Sequence, residues 1–158
     1  MNSHEKLLRS FFASLDRSDA PGMCKCYQRG VFFSNPIYHS LKSWEAAAMW
    51  HMLCENATEI NVDVSEIRAD HDDGVAKWEI RYVYGDSGKV VDCPVTSKFK
   101  FFQDKIVRQV DDFNLWRWTR MALGVKGALL GWSPGFQKKL RKKAHRRLKQ
   151  YIRDKIDE

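Results

Sequence analysis

The sequence predicts an α+β fold in which one strongly curved antiparallel sheet packs on helices gathered near the N-terminus. Three observations predict it. Apolar residues recur at helical spacing in "HEKLLRSFFASL". From Thr58 the period changes to two and stays there through several long alternating segments. From Leu115 the helical period returns and runs to the C-terminus. With 158 residues, 44% apolar and 13% aromatic, the chain has one domain's length and a globular composition.

The elements follow in order. Leu7, Leu8, Phe11, Phe12 and Leu15 form the apolar face of a first helix over residues 4–15, with Ser3 placed to cap it. "DAPGMCKCYQRG" reads as a turn and a short helix ending at Gly30. "VFFS" is a short strand stopped by Asn35-Pro36. Ser43 is placed to cap the helix "WEAAAMWHMLCENA", whose apolar face holds Ala46, Met49, Trp50, Leu53 and Cys54. "TEINVDVSEIRAD" alternates Ile60, Val62 and Val64 with polar neighbours, and three long strands follow as a meander, with breaks at Gly85 to Gly88 and at Asp104-Lys105. "LWRWTRMAL" is helical, "GVKGALLGWSPG" links, and a final helix runs from about Pro134 to Lys155. Residues 1–123 are expected to form the folded body, and residues 124–158 an apolar link followed by a basic amphipathic helix.

The net charge of +7 is unevenly placed. From Phe136 onward there are ten Lys/Arg and three Asp/Glu, so residues 1–135 hold 17 of each and are neutral. No run reaches the roughly 18 apolar residues of a membrane span. "MNSHEKLLRS" meets charge at once, so a cytoplasmic location is expected. Cys24, Cys26, Cys54 and Cys93 lack zinc-ligand spacing and read as reduced thiols; a redox pair at Cys24 and Cys26 is disfavoured by ring strain. No metal or cofactor is expected.

The helix "LLRSFFASLDRSD", the piece "GVFFSNP", the helix "SWEAAAMW" and the meander ending in "DKIVRQVDDFNLW" together resemble the nuclear transport factor 2-like superfamily. That superfamily includes SnoaL-like polyketide cyclases, ketosteroid isomerases and limonene-epoxide hydrolases. The resemblance covers roughly residues 4–123 and implies a cone-shaped, cystatin-like α+β fold with an internal pocket and a homodimer through the outer sheet face. Fold alone does not give the chemistry.

What the resemblance implies for the site differs among these relatives. Matched to the isomerases, Asn35 stands at the base position, Phe11 at a tyrosine position and Ser97 at that of a protonated aspartate. Asparagine is no base and phenylalanine donates no hydrogen bond, so steroid isomerisation by that route is not expected. Matched to the epoxide hydrolases, Asn35 stands at a water-holding asparagine, Phe33 at a tyrosine position and Asp111 at one aspartate. Glu79 and Arg81 lie nearest the family's arginine–aspartate pair, in reversed order. Two residues apart on a strand, they share a face, and Arg81 set between Glu79 and Asp111 would tune the carboxylate. Matched to the cyclases, Asp111 is the acid/base, and alternation places Gln109, Asp111 and Phe113 on one side.

The sequence reading therefore assigns catalysis to Asp111, Asn35, Arg81 and Glu79. It assigns the lining of a hydrophobic-ligand pocket to Phe33, Tyr38, Trp50, Phe99, Phe113, Phe11 and Ser97. In the last helix Phe136, Leu140, Ala144, Leu148, Tyr151 and Ile152 form a drifting apolar stripe amid cations. Three partners compete for that stripe: the protein's own body or a second subunit, an anionic membrane surface, and nucleic acid. The last lacks any recognition motif and is not expected. The alternative to catalysis is a binding or scaffold module attached through this helix.

Overall fold

A computed structural model describes residues 1–156. Helices α1 (Ser3–Asp16) and α2 (Ala20–Cys24) lead into strand β1 (Tyr27–Ser34) and the two-residue strand β2 (Leu41–Lys42). Helix α3 (Trp44–Asn56) follows, then the long strands β3 (Thr58–Ala69), β4 (Asp73–Val83), β5 (Val90–Phe102) and β6 (Lys105–Asp112). Helices α4 (Leu115–Leu123), α5 (Val125–Leu130) and α6 (Pro134–Ile156) follow.

The six strands form one sheet in the order β2-β1-β6-β5-β4-β3. All neighbours are antiparallel except β1 and β6, which run parallel. The sheet is thus mixed, because β1 crosses over to the edge of β6 that the meander leaves free. Register shifts between Val64 and Glu66, between Lys100 and Phe101, and between Tyr27 and Phe32 bend the strands as bulges do. The β5–β6 hairpin turns through Gln103 and Asp104, both at positive φ, the backbone a two-residue turn needs to match strand twist.

Alternation divides the sheet into two faces. Ala76, Trp78, Ile80 and Tyr82 of β4 are buried, while Lys77, Glu79 and Arg81 between them are exposed. On the inner side α1 presents Leu8, Phe11, Phe12 and Leu15, each at most 2% exposed. Each such side chain contributes about 1.5–3 kcal/mol of burial. Two local readings shift. Asn2 rather than Ser3 caps α1, its side chain accepting from Glu5 N. The short helix stops at Cys24 rather than near Gly30, so β1 already begins at Tyr27.

The last helix lies on the body. Leu148 is buried, and Arg141 Nε donates to the Pro36 carbonyl at 2.9 Å. The His145 ring meets Tyr38 edge-on at 5.4 Å, Arg147 pairs with Asp86, and Lys155 lies 3.4 Å from Glu55. Half-buried Leu140, Ala144 and Ile152 continue that contact, whereas Lys138, Lys139, Lys142, Lys143 and Arg146 are exposed. The apolar stripe read from the sequence is therefore the seam between α6 and the body.

Candidate functional site

A cavity of about 710 Å³ lies between the inner face of the sheet, α3 and α6. That size suits a small organic molecule. Its floor includes Trp78, Ile80, Val95 and Asp111, one wall is Met49, Trp50 and Leu53 of α3, and Phe136, Leu140 and Ala144 of α6 close part of the other side.

Asp111 is the buried carboxylate of this space, 5% exposed and on the floor, whereas Asp86, which also lines it, is half-exposed and paired with Arg147. It reaches the inner face because β6 alternates, with Gln109 and Asp111 inward and Asp112 exposed. Opposite it on β5 stands Ser97. Ser97 Oγ donates to Asp111 Oδ1 at 2.5 Å, and Gln109 Nε2 donates to the same oxygen at 3.0 Å. Each donor is oriented by an indole. Trp78 Nε1 donates to Ser97 Oγ at 2.8 Å. Trp50 Nε1 donates to Tyr27 OH at 2.8 Å, and Tyr27 OH donates to Gln109 Oε1 at 2.7 Å. An indole N–H only donates, so the direction of both chains is fixed toward Asp111.

Burial pushes the Asp111 carboxyl up to about 6; the hydrogen bonds from Ser97 and Gln109 oppose the rise. A proton on Asp111 belongs on Oδ2, because Oδ1 already accepts two hydrogen bonds. Such a carboxyl sits close to the pKa at which an acid/base group works in both directions near neutrality. The tyrosines around the cavity are poorer acids: burial pushes Tyr38 up to about 12 and raises Tyr82 further.

Asn35 also lines the cavity, but its Oδ1 is occupied. It accepts from Ile37 N at 2.8 Å and from Tyr38 N at 2.7 Å, closing the turn at Pro36. That pairing fixes the amide orientation and leaves Nδ2 as the group with which Asn35 could meet a ligand.

Glu79 and Arg81 require correction. Both are exposed on the outer face of β4, across the sheet from Asp111. The neighbour of Glu79 is Asp92, whose hydrogen bond and charge raise the Glu79 pKa. Residues two apart do share a face, but that face carries solvent-side charges and not the cavity. Phe11, Phe33 and Phe99 are likewise packing residues behind the cavity wall. Phe11 meets the rings of Phe12, Tyr27, Trp50 and Phe99 within 6.4 Å. Ser97 is fully buried and acts through Asp111, not on the cavity directly. Tyr38, Trp50 and Phe113 do line the cavity.

Sequence reasoning missed Tyr27, because it was placed in a helix, and the α6 side chains, because nothing in the tail says which body surface it covers. All four cysteines are free thiols, and burial pushes Cys24, Cys54 and Cys93 up to about 11, away from thiolate chemistry. Among the described residues no group of His, Cys, Asp and Glu is placed to hold a metal ion.

The geometry can be set beside known proteins. Residues 8–109 match the family model of the SnoaL-like domain. No functionally curated protein matches the sequence. Solved structures match the fold at low identity. An epoxide hydrolase from M. tuberculosis, described as LEH-like, superposes with TM-score 0.66 at 15% identity, over 83% of this chain and 97% of that one. A putative SnoaL-like polyketide cyclase from Jannaschia gives 0.66 at 15%, over 78% and 92%. A hypothetical protein from Catenulispora acidiphila with a ketosteroid isomerase-like fold, in complex with trimethylamine, gives 0.66 at 8%, over 74% and 92%.

Proposed function

The chain belongs to the SnoaL-like domain family, and from that premise we propose that it takes a small hydrophobic molecule into the cavity and exchanges a proton with it through Asp111. One observation carries this reading. A single carboxyl lies on the floor of an apolar cavity, with two oriented donors on Oδ1 and its pKa pushed up to about 6. A purely structural aspartate would gain from a cationic partner; this one has neutral donors only.

The chemistry follows from the arrangement. As carboxylate, Oδ2 removes a proton from an acidified C–H or O–H of the ligand. As carboxylic acid, it returns that proton to another atom of the same ligand. Ser97 and Gln109 stabilise the charged form and hold the group still. Trp50, Trp78 and Phe113 supply flat apolar surface suited to a bulky or planar ligand. Water activation by a carboxylate–arginine pair is not part of the proposal, since Arg81 stands on the opposite face.

The test uses hydrophobic cyclic ketones in deuterated water, with exchange of the C–H beside the carbonyl followed by NMR. Binding is measured in parallel by displacement of an anilinonaphthalene sulfonate dye. Wild type should bind and exchange, and Asp111→Asn should bind but exchange about a hundredfold or more slowly. Equal exchange by both proteins would remove Asp111 from the chemistry. Binding with exchange by neither would leave a binding protein.

A further inference from the structure

Helix α5 is mounted the wrong way round for a helix of a soluble body. Its glycine side is packed inward. A Cβ on Gly127 would collide with the Thr119 carbonyl, and one on Gly131 would collide with Thr119 Oγ1. The close fit holds α5 against α4, and Trp116 Nε1 donates to the Ala128 carbonyl at 3.1 Å across the same contact. The apolar residues therefore point outward: Val125 is 76% exposed, Leu129 66% and Trp132 63%. Val125 and Leu129, four residues apart, share one side of the helix, and Trp132, in the turn that follows, is held beside them by its Nε1 donating to the Leu129 carbonyl at 2.9 Å.

The surroundings of this apolar patch are cationic. Lys126 follows Val125 directly, and Lys138, Lys139, Lys142 and Lys143 are exposed on the first half of α6. The same elements border the cavity: Lys126, Leu130, Phe136, Lys139, Leu140 and Lys143 all line it. Apolar side chains framed by lysines match the chemistry of an anionic bilayer surface, where acyl chains accept the first and phosphates the second. Nearby lysines would also weaken the case for a dry, uncharged protein interface.

We propose that α5 and the N-terminal half of α6 seat the protein on an anionic phospholipid surface, with Val125, Leu129 and Trp132 entering the interface and the cavity rim facing the lipid. Among the described residues no helix is long and apolar enough to cross a membrane, and the attachment proposed is peripheral. The docking rests on this surface alone and does not depend on proton transfer at Asp111. A hydrophobic ligand would then pass between bilayer and cavity without crossing water.

The test is co-sedimentation of the full chain with two kinds of vesicle, phosphatidylcholine alone and phosphatidylcholine mixed with phosphatidylglycerol. Binding to the mixed vesicles should be about tenfold or more stronger and should fall with added salt. Leu129→Ser with Trp132→Ser should abolish it. Lys138→Glu with Lys139→Glu and Lys142→Glu should weaken it by on the order of a hundredfold. Because these residues are exposed, circular dichroism melts of the variants should match wild type. The proposal is overturned if wild type ignores the anionic vesicles, or if the serine variant still pellets with them. It is also overturned if light scattering shows a dimer that the serine substitutions disperse while lipid has no effect, for the patch would then join two copies.

Discussion

Asp111→Asn should make the protein more stable at neutral pH and above, and not in acid. The carboxyl rises from an ordinary value of 3.8 to about 6 in the folded protein, with burial as the main cause. Between those values the folded chain holds a proton that the unfolded chain has lost. Stability therefore falls as pH rises through this window, and the full penalty is present above about 6. Two pKa units correspond to about 3 kcal/mol. Asparagine is close in shape, and its Oδ1 can still accept from Ser97 and Gln109. It carries no charge to desolvate, so the penalty disappears. For a chain of this length about 3 kcal/mol is a rise in Tm of roughly 6–12 °C, which is a ceiling because Nδ2 needs an acceptor in the cavity. Thermal melts by circular dichroism at about pH 7 and about pH 4 read the effect. The gain should be present at the first and absent at the second. An equal shift at both, or a loss at about pH 7, would refute the claim that burial of this charge dominates the site.

Three further outcomes are expected. Ser97→Ala removes the stronger hydrogen bond to Asp111 and leaves the Trp78 indole unpaired; it should cost about 1–3 kcal/mol and raise the carboxyl pKa further, read by carbon NMR titration. Gly127→Ala forces a methyl into the Thr119 backbone and should lower stability by about 1–3 kcal/mol in a denaturant titration. Glu79→Gln and Arg81→Ala sit on the outer face, so dye affinity for the cavity should change less than about twofold; a larger loss would show that the two faces are coupled.

Much of the fold was legible because it rests on period. The alternation in "GVAKWEIRYVY" put Trp78, Ile80 and Tyr82 on one face, and that face is the buried one. Alternation likewise separated Asp111 from Asp112. The same alternation puts Glu79 and Arg81 on the opposite, charged face; only the resemblance to the epoxide hydrolases drew them into the site, in reversed order. Period does not assign partners to a short strand, so the parallel pairing of β1 with β6 was invisible. Tyr27 was lost at an element boundary, where Gly30 suggested a helix end instead of a bulged strand. The docking of α6 was within reach as an amphipathic stripe, but its place over the cavity depends on contacts such as Arg141 with Pro36, which are 105 residues apart.

The one-way hydrogen bonding around Asp111 has a consequence for the kind of reaction the cavity could host. Reversing either relay would leave the hydroxyl hydrogen of Ser97 or Tyr27 without an acceptor, because the indole on its other side only donates. The protein therefore offers no internal exit for a proton that arrives on Asp111: Ser97 and Gln109 are already committed as donors. A proton taken from a ligand must leave on that ligand or pass to water at the cavity rim. Reactions that borrow a proton and give it back, such as moving a double bond or closing a ring, need no other proton carrier in the cavity. Reactions that release a proton with every turnover must hand it to water at the cavity rim.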